Sequence, residues 1–404
     1  MSDRAFVFVW LPEATEPVLA GQVIVVATGN GGWCRFKYAS DYLGRPGAFA
    51  LDPDRLPLEE GVFESEPDFE LFNALRDASP DYWGRKVIEH RLGRTGLGEI
   101  DFLLAAGQER VGALGFGQTR ALSPVARLPE AQRLEALAEA AEQVDADEGV
   151  DDRELLILLG EGSGTLGGMR PKVTVERDGR LWVAKFPAKD DRYDYVRMEY
   201  LALRLAEDAG IEVPEHRLER IGSRAILLTR RFDRIPESGR DVYRRHYLSG
   251  LSMTGLHERD HGAGAYADLA DWLRRHAVDA ASDCRELYRR MLFNIFIGNT
   301  DDHLRNHAVI RDARGYRLSP AFDLVPQPSL GGERHQAIGV GTRGRVASRD
   351  NALSEAARFG LDAGKAQAMA EKMADAVLGW EKYAADLELD RTTRRALEQA
   401  ITPR

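Results

Sequence analysis

The chain reads Ile297-Gly298-Asn299-Thr300-Asp301-Asp302-His303-Leu304-Arg305-Asn306 directly after Leu287 to Ile297, whose apolar residues predict a helix. Asp301 and Asn306 are five residues apart in this polar loop. A carboxylate can orient or deprotonate a hydroxyl group, and carboxylate and amide oxygens are ligands that Mg²⁺ accepts. An Asp and an Asn at this spacing also occur by chance, in turns held by Asx hydrogen bonds. The rest of the chain decides between a site and a turn.

A second acidic position follows in Leu318-Ser319-Pro320-Ala321-Phe322-Asp323-Leu324-Val325, where Asp323 comes seventeen residues after Asn306. An Asp at the end of a short strand pair could bind the same metal ion as Asn306, or could be a strand-end cap. Protein-kinase catalytic loops place the base Asp five residues before a metal-binding Asn, and a later Asp in a D-F-G element also binds metal. The Gly of that element is absent here. We predict that Asp301 is catalytic and that Asn306 and Asp323 bind Mg²⁺.

Two neighbours of Asp301 are further candidates. Asp302 leaves open which of the two carboxylates acts, although the five-residue spacing favours Asp301. His303 could contact the nucleotide, but a histidine in such a loop is more often a structural hydrogen-bonding group.

A lysine and a glycine-rich loop lie upstream. Lys185 belongs to the apolar stretch Val183-Ala184-Lys185-Phe186, and one cation exposed on a strand suits the α- and β-phosphates of a nucleotide. Glu199, in the next predicted helix, could orient that lysine or could be an ordinary surface acid. The loop Gly160 to Gly168 holds five glycines, which permit close approach of the backbone to phosphate. No G-K-[ST] follows, so it is not a Walker A loop.

Periodicity predicts the elements around these motifs. A helical stretch from Phe69 to Arg94 is expected to break at Pro80, with buried positions at Phe72, Leu75, Trp83, Val87 and Leu92. Further helices are predicted over residues 129–145, 151–160 and 195–210. After residue 262 the pattern is mostly helical, interrupted by a polar loop at 299–306 and a short β-like stretch at 307–325. Predicted strands are Phe6–Trp10, Gly21–Val26, Trp33–Tyr38, Glu109–Phe116, Val173–Val175, Trp182–Phe186 and Arg224–Thr229.

The order of these parts is that of a kinase-like phosphotransferase. We predict an α+β protein with an N-terminal α+β module at residues 1–120. A β-containing lobe that covers the nucleotide is predicted at residues 121–250. A catalytic lobe, expected to be all-helical, follows at residues 251–404. A chain of 404 residues is long enough for two or three such units.

Composition narrows the function classes. Hydrophobic residues make up 44% of the chain and charged residues 30%, which is typical of a folded globular protein. The net charge of −10 argues against direct DNA binding as the main role. Cys34 and Cys284 are far apart, so neither a disulfide framework nor a zinc site is expected. The sequence has no apolar run long enough to span a membrane and no signal peptide, and we expect a cytoplasmic protein.

Several motifs in combination resemble the HipA family of bacterial toxin kinases, over nearly the whole chain. They are, in family order, Ser79-Pro80-Asp81-Tyr82-Trp83-Gly84-Arg85, Arg110-Val111-Gly112-Ala113-Leu114, Gly167-Gly168-Met169-Arg170-Pro171-Lys172, Arg231-Phe232-Asp233-Arg234, the loop Thr300–Asn306 and Ala321-Phe322-Asp323-Leu324. Each motif is unspecific alone, and the combination is specific.

This resemblance implies an ATP- and Mg²⁺-dependent serine/threonine-protein kinase with Asp301 as its catalytic residue. Ser163 or Thr165 would be a site of autophosphorylation that silences the enzyme. A protein substrate, such as an aminoacyl-tRNA synthetase, and a small helix-turn-helix antitoxin are the implied partners, with DNA contacted only through the antitoxin. The implied nucleotide-binding and metal-binding set is Gly167, Gly168, Lys172, Lys185, Arg231, Phe232, Asp233, His303, Asn306 and Asp323.

Two other functions fit the residues. A small-molecule kinase of the aminoglycoside-phosphotransferase type would use the same Asp, Asn and Asp. A non-catalytic scaffold that acts as an antitoxin co-repressor would not need Asp301, Asn306, Asp323 or Lys185, and their presence argues against it.

Overall fold

A computed structural model describes residues 3–28, 31–124, 128–148, 150, 157, 170–222, 224–329 and 331–402. The chain divides into two units. Unit 1 comprises Met1–Lys189, Arg220–Leu248 and Arg311–Ala313, and unit 2 comprises Asp190–Glu219, Ser249–Ile310 and Arg314–Arg404. The division at residues 120 and 250 stays a prediction. Within the described ranges, no helix combines the length and apolar character that a membrane crossing requires.

Unit 1 begins with a five-stranded sheet. Alternating residues of its first strand, among them Val7 and Val9, have no exposed surface, because successive side chains of a strand point to opposite faces. The strands are β1 (Arg4–Val9), β2 (Val18–Thr28), β3 (Gly31–Tyr38), β4 (Phe63–Glu64) and β5 (Leu114–Gly117), in the order β4-β3-β2-β1-β5. The first three match the prediction. The strand predicted over Glu109–Phe116 is wrong in its first half, because residues before Leu114 enter a buried charge cluster described below.

Four helices accompany this sheet: α1 (Ser40–Leu43), α2 (Asn73–Arg76), α3 (Tyr82–Leu92) and α4 (Glu99–Ala105). The predicted break at Pro80 is confirmed, since α2 ends before it and α3 begins after it. Phe72, Leu75, Trp83 and Val87 are buried as predicted. The prediction that Leu92 is buried is wrong. Its surface is 49% exposed, because it lies in the last turn of α3 just before Gly93.

A second core of unit 1 forms around another antiparallel sheet. Its strands β6 (Lys172–Arg177), β7 (Arg180–Lys185) and β9 (Arg224–Arg230) pack with α5 (Leu134–Asp145). Trp83 of α3 belongs to the same core, and its indole Nε1 donates to the backbone oxygen of Lys172 at 2.9 Å. A hairpin of β10 (Arg234–Glu237) and β11 (Arg240–Arg244) follows in the sequence. Two further strands, β8 (His216–Ile221) and β12 (His246–Ser249), each span a boundary between the two units in the sequence.

Unit 2 is built mainly from helices. They are α6 (Tyr195–Asp208), α7 (Gly250–Thr254), α8 (Tyr266–His276), α9 (Ala280–Ile297), α10 (Arg349–Ser354), α11 (Ala363–Leu378), α12 (Trp380–Asp386) and α13 (Arg391–Ala400). Residues 251–404 also contain neighbouring strands β13 (Ala308–Asp312) and β14 (Gly315–Leu318). The expectation of an all-helical C-terminal part is therefore wrong, and this part is mainly helical. The chain as a whole is a mixed α+β protein.

Helix α9 organises the region that carries the predicted site. Its C-terminal end leads directly into the loop that holds Asp301. Near its N-terminal end, the Asp283 carboxylate accepts hydrogen bonds from the backbone of Leu318 at 3.1 Å and from the Arg317 guanidinium at 3.0 Å. These bonds fix the end of β14, from which the chain continues to Asp323. One helix thus positions both candidate segments.

Candidate active site

The loop after α9 is shaped by its own backbone. Gly298 ends the helix in the left-handed conformation with φ of +70°, which residues other than glycine adopt at a cost. The amide Nδ2 of Asn306 donates to the backbone oxygen of Asp301 at 3.1 Å, and the backbone nitrogen of His303 donates to the same oxygen at 2.9 Å. The loop therefore closes on itself around Asp301.

The two adjacent carboxylates of this loop lie in opposite environments. Asp301 is exposed, whereas Asp302 has 1% of its surface exposed. One oxygen of Asp302 lies 3.1 Å from Nε2 of His307, whose side chain is equally buried. A buried carboxylate beside an imidazole cannot reach a protein hydroxyl in solvent. Exposure thus favours Asp301 over Asp302 as the group that meets a substrate.

Asp323 lies in the left-handed region with φ of +55°, which is uncommon for a residue with a side chain. Hydrogen bonds hold the segment on both sides of it. The backbone nitrogen of Ala321 donates to the oxygen of Glu212 at 2.7 Å, and that of Gln327 donates to the oxygen of Gly298 at 3.0 Å. The segment after β14 is therefore bonded to the end of α9, where the Asp301 loop begins.

One side chain joins the two segments directly. Asn299, which is buried, donates through Nδ2 to the backbone oxygen of Asp323 at 3.3 Å and to Oδ1 of Asn294 at 3.1 Å. Asn299 is two residues before Asp301 in the chain. Two sequence motifs separated by seventeen residues are thus neighbours in unit 2.

The residues present suit a magnesium ion by the chemistry of their donors. The predicted ligands Asn306 and Asp323 offer an amide oxygen and carboxylate oxygens, which Mg²⁺ prefers over nitrogen or sulfur. Asn306 uses its Nδ2 within the loop, so its Oδ1 is the atom suited to a metal. Among the described residues, no group of three or more His, Cys, Asp or Glu is placed to hold a metal ion.

The predicted lysines lie on neighbouring strands of unit 1. Lys185 at the end of β7 is directly opposite Lys172 at the start of β6. Residues directly opposite in an antiparallel pair project from the same face, and like charges placed in this way repel each other. Lys172 is 5% exposed and Lys185 is partly buried. Contact of these two lysines with a phosphate stays a prediction.

Arg231 and Asp233 have a structural role that the sequence did not predict. Both are buried, and they form ion pairs with each other and with a cluster that contains Glu109, Arg234 and Arg244. Burial by itself raises the pKa of Glu109, but the three arginines outweigh it and lower that pKa to about 2. Their side chains are occupied in this cluster, so contact of Arg231 or Asp233 with a nucleotide stays a prediction.

The same cluster joins two of the motifs named above. The Asp233 carboxylate accepts from the backbone nitrogen of Gly112 at 2.7 Å, and Arg234 donates to the oxygens of Arg110 and Gly112. Gly112 has φ of +79°, and a Cβ there would meet Tyr247 at 3.0 Å. The segment around Arg110 and the segment Arg231–Arg234 are therefore parts of one buried interface within unit 1.

Some predicted residues cannot be placed, and others were not anticipated. Ser163, Thr165, Gly167 and Gly168 lie outside the described residues. Phe232 and His303 are described, and their contact with a nucleotide stays a prediction.

Sequence reasoning missed Asn299, although it stands next to the motif, because an Asn before the Asp pair is no signal in itself. It also missed Glu109, whose partners are more than a hundred residues away in the chain.

Comparisons with known proteins point in one direction. Residues 164–380 match the family model of the HipA-like C-terminal domain, and residues 17–117 match that of the HipA N-terminal domain. The serine/threonine-protein kinase toxin HipA of Shewanella oneidensis is 26% identical over 312 residues, which are 71% of this chain and 69% of that protein. Y4mE of Sinorhizobium fredii is 26% identical over 175 residues, and the match spans 42% of this chain and 40% of Y4mE.

The fold agrees with these matches. A chain of the solved Shewanella oneidensis MR-1 complex of the toxin–antitoxin system HipA and HipB with its operator DNA aligns with a TM-score of 0.67 at 18% identity, covering 94% of this chain and 92% of that one. At this identity the likeness shows the fold alone. Because the HipA-like C-terminal domain by itself matches more than half of the 404 residues, the chain belongs to the HipA-like kinase family.

Proposed function

We propose that this chain transfers the γ-phosphate of ATP to a Ser or Thr hydroxyl of a protein, in a reaction that requires Mg²⁺. One observation carries the proposal. Asn299 hydrogen-bonds the segment of Asp323 to the loop of Asp301 and Asn306, so two oxygen-rich motifs needed for phosphoryl transfer adjoin each other in unit 2. The matches to kinases of the HipA-like family support the same chemistry.

Each residue has a separate task in the proposed reaction. Asp301, exposed at the loop surface, accepts the proton of the substrate hydroxyl or orients that hydroxyl towards the phosphate. Asn306 and Asp323 hold Mg²⁺ through their oxygens. Bound Mg²⁺ neutralises negative charge on the phosphates. Lys185, with Lys172 opposite it, is proposed to bind phosphate oxygens, and a kinase-like arrangement of two lobes is part of this proposal.

We further propose a small helix-turn-helix protein as a partner, and DNA contact only through it. The support is the relative of similar fold, which was solved with HipB and operator DNA. The protein substrate, for which an aminoacyl-tRNA synthetase is one candidate class, remains a proposal from the family resemblance.

The test is transfer of radiolabelled phosphate from [γ-³²P]ATP with and without Mg²⁺ to proteins of a host lysate. The wild type is compared with Asp301→Ala. The matched control is Asp350→Ala, another exposed Asp of unit 2, in the first turn of α10. We expect Mg²⁺-dependent labelling of protein by wild type and control, and a loss of about 10²-fold or more for Asp301→Ala.

Three outcomes would contradict all or part of the proposal. Label on a metabolite and on no protein would favour a small-molecule kinase of the aminoglycoside-phosphotransferase type. No transfer by the wild type to any acceptor in the presence of Mg²⁺ would favour a non-catalytic co-repressor. Equal transfer by Asp301→Ala and wild type would remove Asp301 from the mechanism.

A further inference from the structure

Asn299 is a buried amide whose donors are both committed. Its Nδ2 donates to Oδ1 of Asn294 at 3.1 Å and to the backbone oxygen of Asp323 at 3.3 Å. Its own backbone nitrogen donates to the backbone oxygen of Asn294 at 2.9 Å. Asn294, in the last turn of α9, therefore holds both the backbone and the side chain of Asn299, and that side chain in turn bonds the backbone of Asp323.

The backbone at Asp323 needs such a restraint. Its φ of +55° belongs to the left-handed region, where a side chain crowds the following carbonyl. A residue stays in such a conformation only when its surroundings determine it, and residues of this kind cluster at functional sites. The side chain of Asn299 bonds the carbonyl of the strained residue itself, which fixes the peptide group next to the Cα that carries the carboxylate.

The same buried layer extends beneath the other loop. Nδ2 of Asn294 lies 3.4 Å from the hydroxyl of Tyr266, and the ring of Tyr266 packs edge-on against His307 with 5.1 Å between ring centroids. His307 in turn lies 3.1 Å from Asp302, the neighbour of Asp301. Polar and aromatic side chains of α8 and α9 thus support both loops.

We propose that Asn299 is a positioning residue, which sets the backbone conformation of Asp323 and with it the direction of the carboxylate towards the metal. The inference rests on the proposed function, because it assumes that Asp323 binds Mg²⁺. Asn299 touches neither substrate nor metal in this proposal. Removal of the groups that orient a metal ligand typically costs 10- to 100-fold in metal affinity.

The test measures Mn²⁺ binding in the presence of ATP by electron paramagnetic resonance, with Mn²⁺ as a probe for the Mg²⁺ site. We expect Asn299→Ala to weaken Mn²⁺ binding 10-fold or more. The matched control is Asn351→Ala. Asn351 is equally buried in unit 2, and its Nδ2 donates to two backbone oxygens, those of Gly344 and Val346, in another segment. The control should bind Mn²⁺ within about 2-fold of the wild type.

A double-mutant cycle separates positioning from a general loss of structure. In an Asp323→Asn background, Asn299→Ala should weaken Mn²⁺ binding no further, because both changes act through the same ligand. A further loss of 10-fold in that background would overturn the proposal. If Asn299→Ala does not fold, Asn299→Ser decides, since it keeps a polar group in the pocket and should still weaken binding several-fold.

The outcomes distinguish this inference from the proposed function. If the wild type transfers phosphate and Asn299→Ala binds Mn²⁺ as tightly as the wild type, the inference is wrong and the kinase proposal stands. If the wild type binds Mn²⁺ with ATP, labels no protein, and Asn299→Ala weakens binding, the kinase proposal is wrong and the inference stands. A wild type that binds no Mn²⁺ with ATP overturns both.

Discussion

Asp301 and Asp302 are chemically identical side chains that the fold places in different environments. Asp301 contributes its backbone oxygen to the loop and exposes its carboxylate, whereas Asp302 turns inward towards His307. In the described part of the chain, one oxygen of Asp302 has no hydrogen-bond partner. Such a carboxylate is costly to bury, so its retention beside an exposed twin fits a role in shaping the loop.

The stabilities of the two alanine variants should therefore differ. Asp301→Ala is expected to change the free energy of unfolding by less than about 0.5 kcal/mol, as for other exposed positions. Asp302→Ala leaves His307 without its neighbour and opens a buried space, and should destabilise by about 2 kcal/mol. Urea denaturation measures both. Equal destabilisation by the two changes would contradict the assignment of Asp302 as the structural member.

His246 should make unit 1 sensitive to mild acid. Burial, together with the charge of nearby Arg311, lowers the pKa of His246 to about 4, although its Nε2 lies 2.8 Å from the backbone oxygen of Leu51. As the pH falls, His246 is protonated near pH 6.5 in the unfolded chain but only near pH 4 in the folded chain. Stability from the neutral imidazole is therefore complete above pH 6.5 and is lost as the pH falls towards 4.

Comparison of His246→Gln with the wild type checks this effect. Between pH 7 and pH 5 the wild type should lose about 2 kcal/mol more unfolding free energy than the variant, which has no group to titrate there. His335→Gln is the control, because the side chain of His335 is half exposed. A wild type and a His246→Gln variant with the same pH dependence would show that another group is responsible.

At the scale of elements, the end of α9 decides where the candidate loop begins. Gly298 and Gly360 both end helices in the left-handed conformation, with φ of +70° and +76°. A Cβ at Gly298 would lie 2.4 Å from the backbone oxygen of Ala400 and 2.8 Å from the Arg334 guanidinium, whereas a Cβ at Gly360 would meet no atom within 4 Å. An alanine would therefore meet the same backbone strain at both positions, but would collide with neighbouring atoms only at Gly298.

This pair gives a controlled prediction. Gly360→Ala should cost about 1 kcal/mol, the strain of a left-handed alanine, with phosphate transfer unchanged. Gly298→Ala should cost about 2 kcal/mol more, because the backbone of α13 or of the loop must move, and transfer should fall with it. Thermal unfolding and the phosphate-transfer assay measure both effects. Similar values for the two variants would show that the close contacts at Gly298 relax without consequence.

At the scale of the whole molecule, the buried charge cluster joins parts of unit 1 that are distant in sequence. Glu109 and Asp233 supply two negative charges, and Arg231, Arg234 and Arg244 supply three positive charges. The guanidinium of Arg244 also stacks over the ring of Trp10, 3.7 Å from its centroid. Trp10 directly after β1, the segment before β5 and the β10–β11 hairpin therefore depend on one another.

Glu109→Ala should be among the most destabilising single changes in unit 1. It leaves three buried arginines beside one carboxylate, and breaking a buried ion pair costs about 3–5 kcal/mol. Since the pKa of Glu109 is lowered to about 2, its contribution is complete above pH 4.5 and is lost as the pH falls towards 2. Glu64→Ala, which breaks the exposed pair with Arg35, should cost no more than about 1 kcal/mol. Denaturation at pH 7 measures the loss of unfolding free energy in both variants. Equal losses would contradict the stabilising role of the cluster.

The sequence by itself determined the local pattern of this protein. Alternation of apolar residues gave the first three strands, Pro80 gave the break between two helices, and the spacing of Asp301, Asn306 and Asp323 gave the candidate chemistry. These features depend on backbone sterics and on side-chain period, which neighbouring residues carry. The predicted roles of these residues in metal and nucleotide binding stay predictions.

Only the tertiary structure decided which of these residues are buried and what they contact. It placed Asp302 inside and Asp301 outside, brought Asn299 to the carbonyl of Asp323, and assembled Glu109 with arginines more than a hundred residues later. Such choices follow from packing and from the need to pair buried polar groups, and both depend on segments far apart in the chain. Local sequence carries no record of those partners, which is why the burial of Leu92 and the start of β5 were predicted wrongly.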